Sequence, residues 1–161
     1  PFDMAFTSPL VRAKETAQII LGDRQVPLEP DARIQEINFG EMEGCRIRDT
    51  NGEVIIPLFQ KFFDHPSEYL PPKDGETILE LCGRTAEFLE ELKNRKDLAG
   101  KTILAATHGA ASRAMLLNIT RRPVAEFWGK GVPKNCSVSV AELEHGEWIL
   151  KKQDVCYYEN L

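Results

Sequence analysis

Residues Thr102 to Leu117 read TILAATHGAASRAMLL. An apolar run, Ile103-Leu104-Ala105-Ala106-Thr107, ends on His108-Gly109. A helical pattern follows, with Ala111, Ala114, Met115 and Leu117 at helix spacing. Strand, polar residue with glycine, then helix: in an α/β protein this junction is where ligands meet strand ends and helix N-termini. A histidine there can titrate or donate near neutral pH, beside backbone N–H groups that favour anions. From these residues alone His108 has two readings, a structural hydrogen-bonder or a catalytic imidazole.

The bulk properties narrow the classes. A chain of 161 residues suits a single domain, 1–161, with a real core. With 42% hydrophobic and 28% charged residues it has the composition of a globular protein. A net charge of −5, with no block of Lys or Arg, argues against nucleic acid or an anionic membrane as partner. No apolar run approaches the ~20 residues of a membrane span, and no signal-peptide pattern is present. The four cysteines are irregularly spaced and form no C-x-x-C pair. Zinc and redox chemistry are therefore not expected, and free thiols in a cytoplasmic protein are. The first residue is Pro1 rather than Met, which fits methionine removal or a trimmed chain.

Outward from the junction, strands alternate with helices. Phe2 to Thr7 predicts a short strand, and Ser8-Pro9 an N-cap and first helical position. The helix runs through Leu10, Ala13, Ala17 and Ile20 and stops near Gly22. Val26 to Leu28 is a candidate edge strand, and Ile34 to Gly44 is turn-like. Residues 54–64 carry a helical pattern interrupted by Pro57, and 65–76 read as a loop. The clearest helix is Thr77 to Arg95, with an apolar stripe through Ile78, Leu81, Thr85, Phe88, Leu89 and Leu92. Thr77 with Glu80 matches a capping box. Pro123 to Trp128 predicts a short helix. Val138–Leu143 and Trp148–Lys152 predict a hairpin across His145-Gly146. The class is α/β, with a largely parallel sheet and a late hairpin.

Three further features carry candidate chemistry. Arg12, on the first turn of a helix that follows a strand, is placed to clamp a phosphate or carboxylate, or is a solvated surface arginine. Glu36, between Ile34 and Ile37, suits acid–base work if burial raises its pKa, or is one acidic loop residue among several. Pro72 through Thr77, with Gly75-Glu76-Thr77, reads as a loop with helix-start chemistry before the long helix, and Glu76 is the next candidate proton donor if Glu36 does not serve.

Together these segments resemble the histidine phosphatase superfamily, also called phosphoglycerate mutase-like. The family's S-P-L-x-R-A-x-x-T-A is matched by Ser8 through Ala17, with Arg12 at its arginine. Its L-x-E-x-x-F-G-x-x-E-G is matched by Ile34 through Gly44, with Ile for the leading Leu and Glu36 at its first glutamate. Its G-E-S/T is Gly75-Glu76-Thr77, its second catalytic His-Gly is His108-Gly109, and its late N-x-S-x-x strand is similar to Asn135 through Ser139. The first two motifs are specific, and all occur in the family's order along nearly the whole chain.

The family's opening R-H-G, whose histidine takes the phosphoryl group, is not in this sequence. His65 sits in a loop and His145 in the hairpin turn, neither in a strand-to-helix context. The expectation is a chain lacking the first strand and its catalytic loop, inactive by itself.

The resemblance implies a three-layer α/β/α sandwich around a mostly parallel mixed sheet with that N-terminal strand missing. It implies phosphomonoester hydrolysis in the intact parent, without metal or organic cofactor, on a small phosphorylated substrate. Arg12, His108 and Gly109 would bind the phosphoryl group, and Glu36 would transfer the proton. Only thirty residues separate Gly44 from Gly75, which favours phosphatase over cofactor-dependent mutase. A non-catalytic phosphate-binding domain is the third reading. The substrate's identity and a homo-oligomer are left open.

Overall fold

The structure, a computed structural model, describes residues 1–158; the end of the expected domain 1–161 lies outside the described residues. Strand β1 (Met4–Thr7) is followed by helix α1 (Val11–Leu21) and strand β2 (Leu28–Pro30). Helix α2 (Pro57–Asp64) and helix α3 (Ile78–Asn94) precede strand β3 (Ile103–Ala106) and helix α4 (Gly109–Thr120). Strands β4 (Val138–Glu144) and β5 (Glu147–Val155) close the chain. The fold is α/β, as the alternation of strand and helix patterns predicts.

The first sheet has the order β2-β1-β3 and is parallel throughout. The hairpin β4-β5 forms its own antiparallel sheet rather than joining the first. β1 is buried along its whole length because it is the central strand. Its alternate residues serve opposite faces. Met4 and Phe6 pack with Phe88 and Leu92 of α3, Phe6 meeting Phe88 edge-on at 5.5 Å. α1 packs across β1 and β3, turning the small side chains of Ala13 and Ala17 inward.

Several local expectations are corrected. α1 starts at Val11 with Leu10 as N-cap, so Ser8 is not the cap residue. The Ser8 hydroxyl still accepts from the Leu10 N–H at 3.3 Å. The edge strand lies at Leu28–Pro30, not Val26–Leu28, with its proline at the end, where a missing N–H costs no ladder bond. Pro57 begins α2 instead of interrupting it, because proline fits the first helical turn. The short helix expected over 123–128 is a single 3-10 turn, Val124–Glu126. The capping box forms as read: Thr77 Oγ1 accepts from the Glu80 N–H, and Glu80 accepts from the Thr77 N–H at 2.8 Å.

A second core cluster joins the segment after Glu36 to α3 and α4. Phe59 and Phe62 of α2 pack with Tyr69, Phe127 and Trp128, and Ala110, Ala111 and Ala114 form its floor. The Trp128 indole N–H donates to the Phe62 carbonyl at 2.6 Å. This aromatic cluster fixes the chain that follows Glu36 against the N-terminal end of α4.

Candidate active site

β1 and β3 are parallel and paired in register, Thr7 opposite Ala106. Their C-terminal ends therefore deliver Ser8 and His108 side by side. The His108 Nε2 and the Ser8 Oγ are 2.7 Å apart, and Ser8 is fully buried. His108 is the N-cap of α4, but its side chain makes no cap bond.

The cap is supplied instead from another element. The Ala110 and Ala111 N–H groups both donate to Glu36 Oε1 at 3.1 Å. The Ile37 N–H adds a third bond to the same oxygen at 3.0 Å. An acidic side chain at a helix N-terminus meets both the unsatisfied donors and the positive end of the dipole. Burial nevertheless raises the Glu36 pKa, outweighing those three bonds and the positive charge of Arg12. Glu36 is thus partly buried, hydrogen-bonded and shifted toward holding a proton.

His108 is driven the other way. Burial first, then the charges of Arg12 and Arg84, push its pKa down to about 4. At neutral pH the ring is uncharged, one nitrogen donating and the other accepting. Arg12 is exposed on the first turn of α1, and its charge acts on both Glu36 and His108. The structure thus brings together Arg12, Glu36, His108 and Gly109, residues spread over almost a hundred positions of sequence. A Cβ on Gly109 would stand 3.8 Å from Glu36 Oε2.

Arg84, which lies outside the apolar stripe of α3, holds this arrangement. Its Nη1 donates to the carbonyls of Arg33 and Gln35, both at 2.8 Å, and its Nη2 to that of Glu36 at 3.1 Å. Its Nε and Nη2 grip the Glu76 carboxylate at 2.6 and 2.9 Å. The Glu76 carboxylate is thus held by Arg84. The backbone is stitched at the same place, with the Glu76 N–H donating to the Asn38 carbonyl at 2.8 Å. Gly40 makes the approach possible: its φ is +53°, and a Cβ there would lie 2.1 Å from the Lys73 carbonyl. Glu36, Gln35, Asn38, Glu76, Glu80 and Arg84 line a groove of about 500 Å³ beside this turn.

The remaining histidines lie elsewhere. His65 ends α2 and influences Glu68. His145 occupies the β4-β5 turn at φ 52°. The neighbouring Gly146 lies against Lys93, at the C-terminal end of α3, whereas the Glu76–Arg84 pair lies toward its start. Arg84 and Lys93 are nine residues apart, roughly 14 Å along the helix at 1.5 Å per residue. Among the described residues no group of three or more His, Cys, Asp or Glu could hold a metal ion, and no helix is long and apolar enough to cross a membrane.

The model of the histidine phosphatase superfamily (branch 1) matches residues 1–155. The chain belongs to this superfamily. The histidine phosphatase likeness extends to curated proteins and solved structures. The 2,3-bisphosphoglycerate-dependent phosphoglycerate mutase of Nocardia farcinica is 31% identical over 154 residues, covering 81% of this chain and 63% of that protein. The mutase of the same name from Sinorhizobium fredii is 31% identical over 127 residues, covering 74% and 57%. The chain thus spans about 57 to 63% of the length of these two relatives. Bacillus stearothermophilus YhfR superposes with a TM-score of 0.83 at 26% identity, covering 96% of this chain and 75% of that one. A phosphoserine phosphatase from Entamoeba histolytica, solved with 3-phosphoglyceric acid, gives 0.76 at 28% identity, covering 97% and 75%. The segments that carry Ser8, Glu36, Glu76 and His108 meet at one end of the parallel sheet. Ser8, read from sequence as a cap, and Arg84, read as one residue of a helix, are the two members of the cluster that sequence patterning missed.

Proposed function

We propose that the whole protein hydrolyses phosphomonoesters through a phosphohistidine. Arg12 and His108, with the backbone at Gly109, bind the phosphoryl oxygens; the Arg12 guanidinium offsets their charge, and the neutral His108 ring contributes a hydrogen bond. The attacking histidine is contributed by a part of the whole protein beyond these 161 residues, since His65 follows α2 and His145 sits in the β4-β5 turn, neither at the end of a parallel strand. It forms a bond to phosphorus as the ester P–O bond breaks. Glu36 gives its proton to the departing oxygen, then takes one from the water that cleaves the phosphohistidine. The observation that carries this reading is the meeting at the start of α4 of two side chains from distant segments: His108 against Ser8, and Glu36 accepting from the Ala110 and Ala111 N–H groups.

Membership of the superfamily supports an enzyme of the histidine phosphatase kind. The curated relatives named as mutases favour a second reading, a mutase that retains a bisphosphorylated intermediate. The short segment between Gly44 and Gly75, filled by α2 and its aromatic cluster, favours hydrolysis. A phosphate-binding domain without catalysis is the third. We place the protein in the cytoplasm, where the exposed thiols of Cys45 and Cys136 stay reduced.

The test uses the full-length protein with nitrophenyl phosphate and rapid quench. Turnover with an acid-labile phosphohistidine supports hydrolysis. Transfer between phosphoglycerates in place of release to water supports the mutase. Phosphate binding without either supports the third reading. The same assay on residues 1–161 alone is expected to show no turnover.

A further inference from the structure

Arg113 lies one turn into α4 from the site and is 3% exposed. Its Nε and Nη2 donate to the Gly131 carbonyl at 3.1 and 2.5 Å, and its Nη1 pairs with Asp154 Oδ2 at 2.8 Å. A buried cation is costly to leave unpaired, so these bonds define the place of the loop around Gly131. Gly131 has a φ of +103°, a conformation that side chains with a Cβ rarely adopt.

The next residue is Val132. Its Cγ1 is 3.9 Å from the point where a Cβ on Gly109 would stand, and Glu36 Oε2 is 3.8 Å from that same point. Val132 is nevertheless 53% exposed. A branched aliphatic side chain and the buried carboxyl thus flank one spot at the start of α4. If Glu36 Oε2 protonates the leaving oxygen, a group on that oxygen that turns toward Gly109 meets Val132. A leaving group with a carboxylate there would be stripped of water against the valine. An alkyl or aryl group would gain the contact.

We propose that Val132 is the specificity-determining contact for the leaving group, favouring phosphomonoesters of apolar alcohols. Arg113 is the positioning residue that sets it there. This rests on the phosphatase reading of Glu36.

The experiment compares benzyl phosphate with 3-phosphoglycerate, both esters of alcohols, on the full-length protein. The natural chain is expected to favour benzyl phosphate. Val132 is a surface residue, so Val132→Ala should fold normally. It is expected to lower kcat/KM for benzyl phosphate about tenfold, with little change for 3-phosphoglycerate or for inhibition by inorganic phosphate. Arg113→Lys should lower the same ratio in the natural background and leave it unchanged when Val132→Ala is already present. Equal losses on both substrates, no loss, or a natural preference for 3-phosphoglycerate would overturn the assignment of Val132. A ratio that Arg113→Lys still changes in the Val132→Ala background would overturn the positioning role. A protein that turns over neither substrate overturns the phosphatase reading and this proposal with it.

Discussion

The imidazole of His108 meets the hydroxyl of Ser8 at 2.7 Å, a hundred residues away in sequence. Parallel pairing of β1 with β3 makes this contact inevitable, because the residues just past two registered strand ends are neighbours. The Ser8 N–H extends the ladder by donating to the Ala106 carbonyl at 2.9 Å. The histidine of one motif is thus oriented by the serine of another.

Ser8→Ala removes that partner and leaves a ring nitrogen unsatisfied in a partly buried place. We expect a loss of about 1–3 kcal/mol in stability. The His108 nitrogen shifts should also change from one tautomer to a mixture. Unchanged ring shifts and an unchanged melting temperature would show that the serine does not orient the ring.

The His108 ring titrates near 4, below the ordinary 6.5 that it regains on unfolding. Between those values the unfolded chain binds more protons, so this group makes stability rise with pH from about 4 to 6.5 and stay level above. Glu36 acts oppositely: its pKa is raised from 4.5, so its contribution is present below that value and is lost as pH rises through the folded pKa. Subtracting the melting curve of His108→Asn from that of the natural protein isolates the histidine. The difference should rise with pH across that window. Added phosphate, by opposing the Arg12 and Arg84 charges, should raise the ring pKa in an NMR titration. A free ring that titrates at its ordinary value contradicts the burial described here.

Arg84→Ala removes the guanidinium that ties Glu76 to the Arg33–Glu36 backbone. Breaking a partly buried, multiply bonded pair of this kind costs about 3 kcal/mol or more. Glu76→Gln should cost less, because Asn38 and Arg84 keep part of their bonding. Both variants should also slow turnover, since the Glu36 carbonyl is one of the anchored groups. Full activity in a destabilised Arg84→Ala protein would separate the anchor from the chemistry.

Glu36→Gln should lower turnover by about 10²- to 10⁴-fold, the usual effect of losing a general acid. The loss should shrink for nitrophenyl phosphate, whose leaving group needs little protonation. Equal losses on nitrophenyl and alkyl phosphates would move the proton donor away from Glu36.

Much of this was legible in the sequence. The change of period at His108-Gly109 marked the strand-to-helix junction. Thr77 and Glu80 marked the start of α3, and the alternation on either side of His145-Gly146 marked the hairpin. These are local patterns, set by residues within a turn or two of one another. The order of the motifs also pointed to Arg12, Glu36 and His108 as one set.

Long-range geometry was not legible. Ser8 looks like a helix cap because its neighbours are Pro9 and a helix. Only the registered pairing of β1 and β3 turns it toward His108. Arg84 looks like one polar position on α3, and its carbonyl partners come from a turn that no periodicity ties to that helix. Glu36 becomes the cap of α4 only when the aromatic cluster fixes the turn that carries it. The run at Ile103–Ala106 is apolar throughout, yet in the β2-β1-β3 sheet it lies at an edge with Ala105 exposed. Sequence alone determined the elements, the family motifs and the residue types available for phosphate chemistry. Tertiary structure decided which of them touch, which charge sits beside which, and therefore which carboxyl is shifted toward its acid form and which imidazole toward neutrality. The physical reason is that propensity and capping act along the chain, whereas burial, ion pairing and pKa depend on distances that only the packed fold creates.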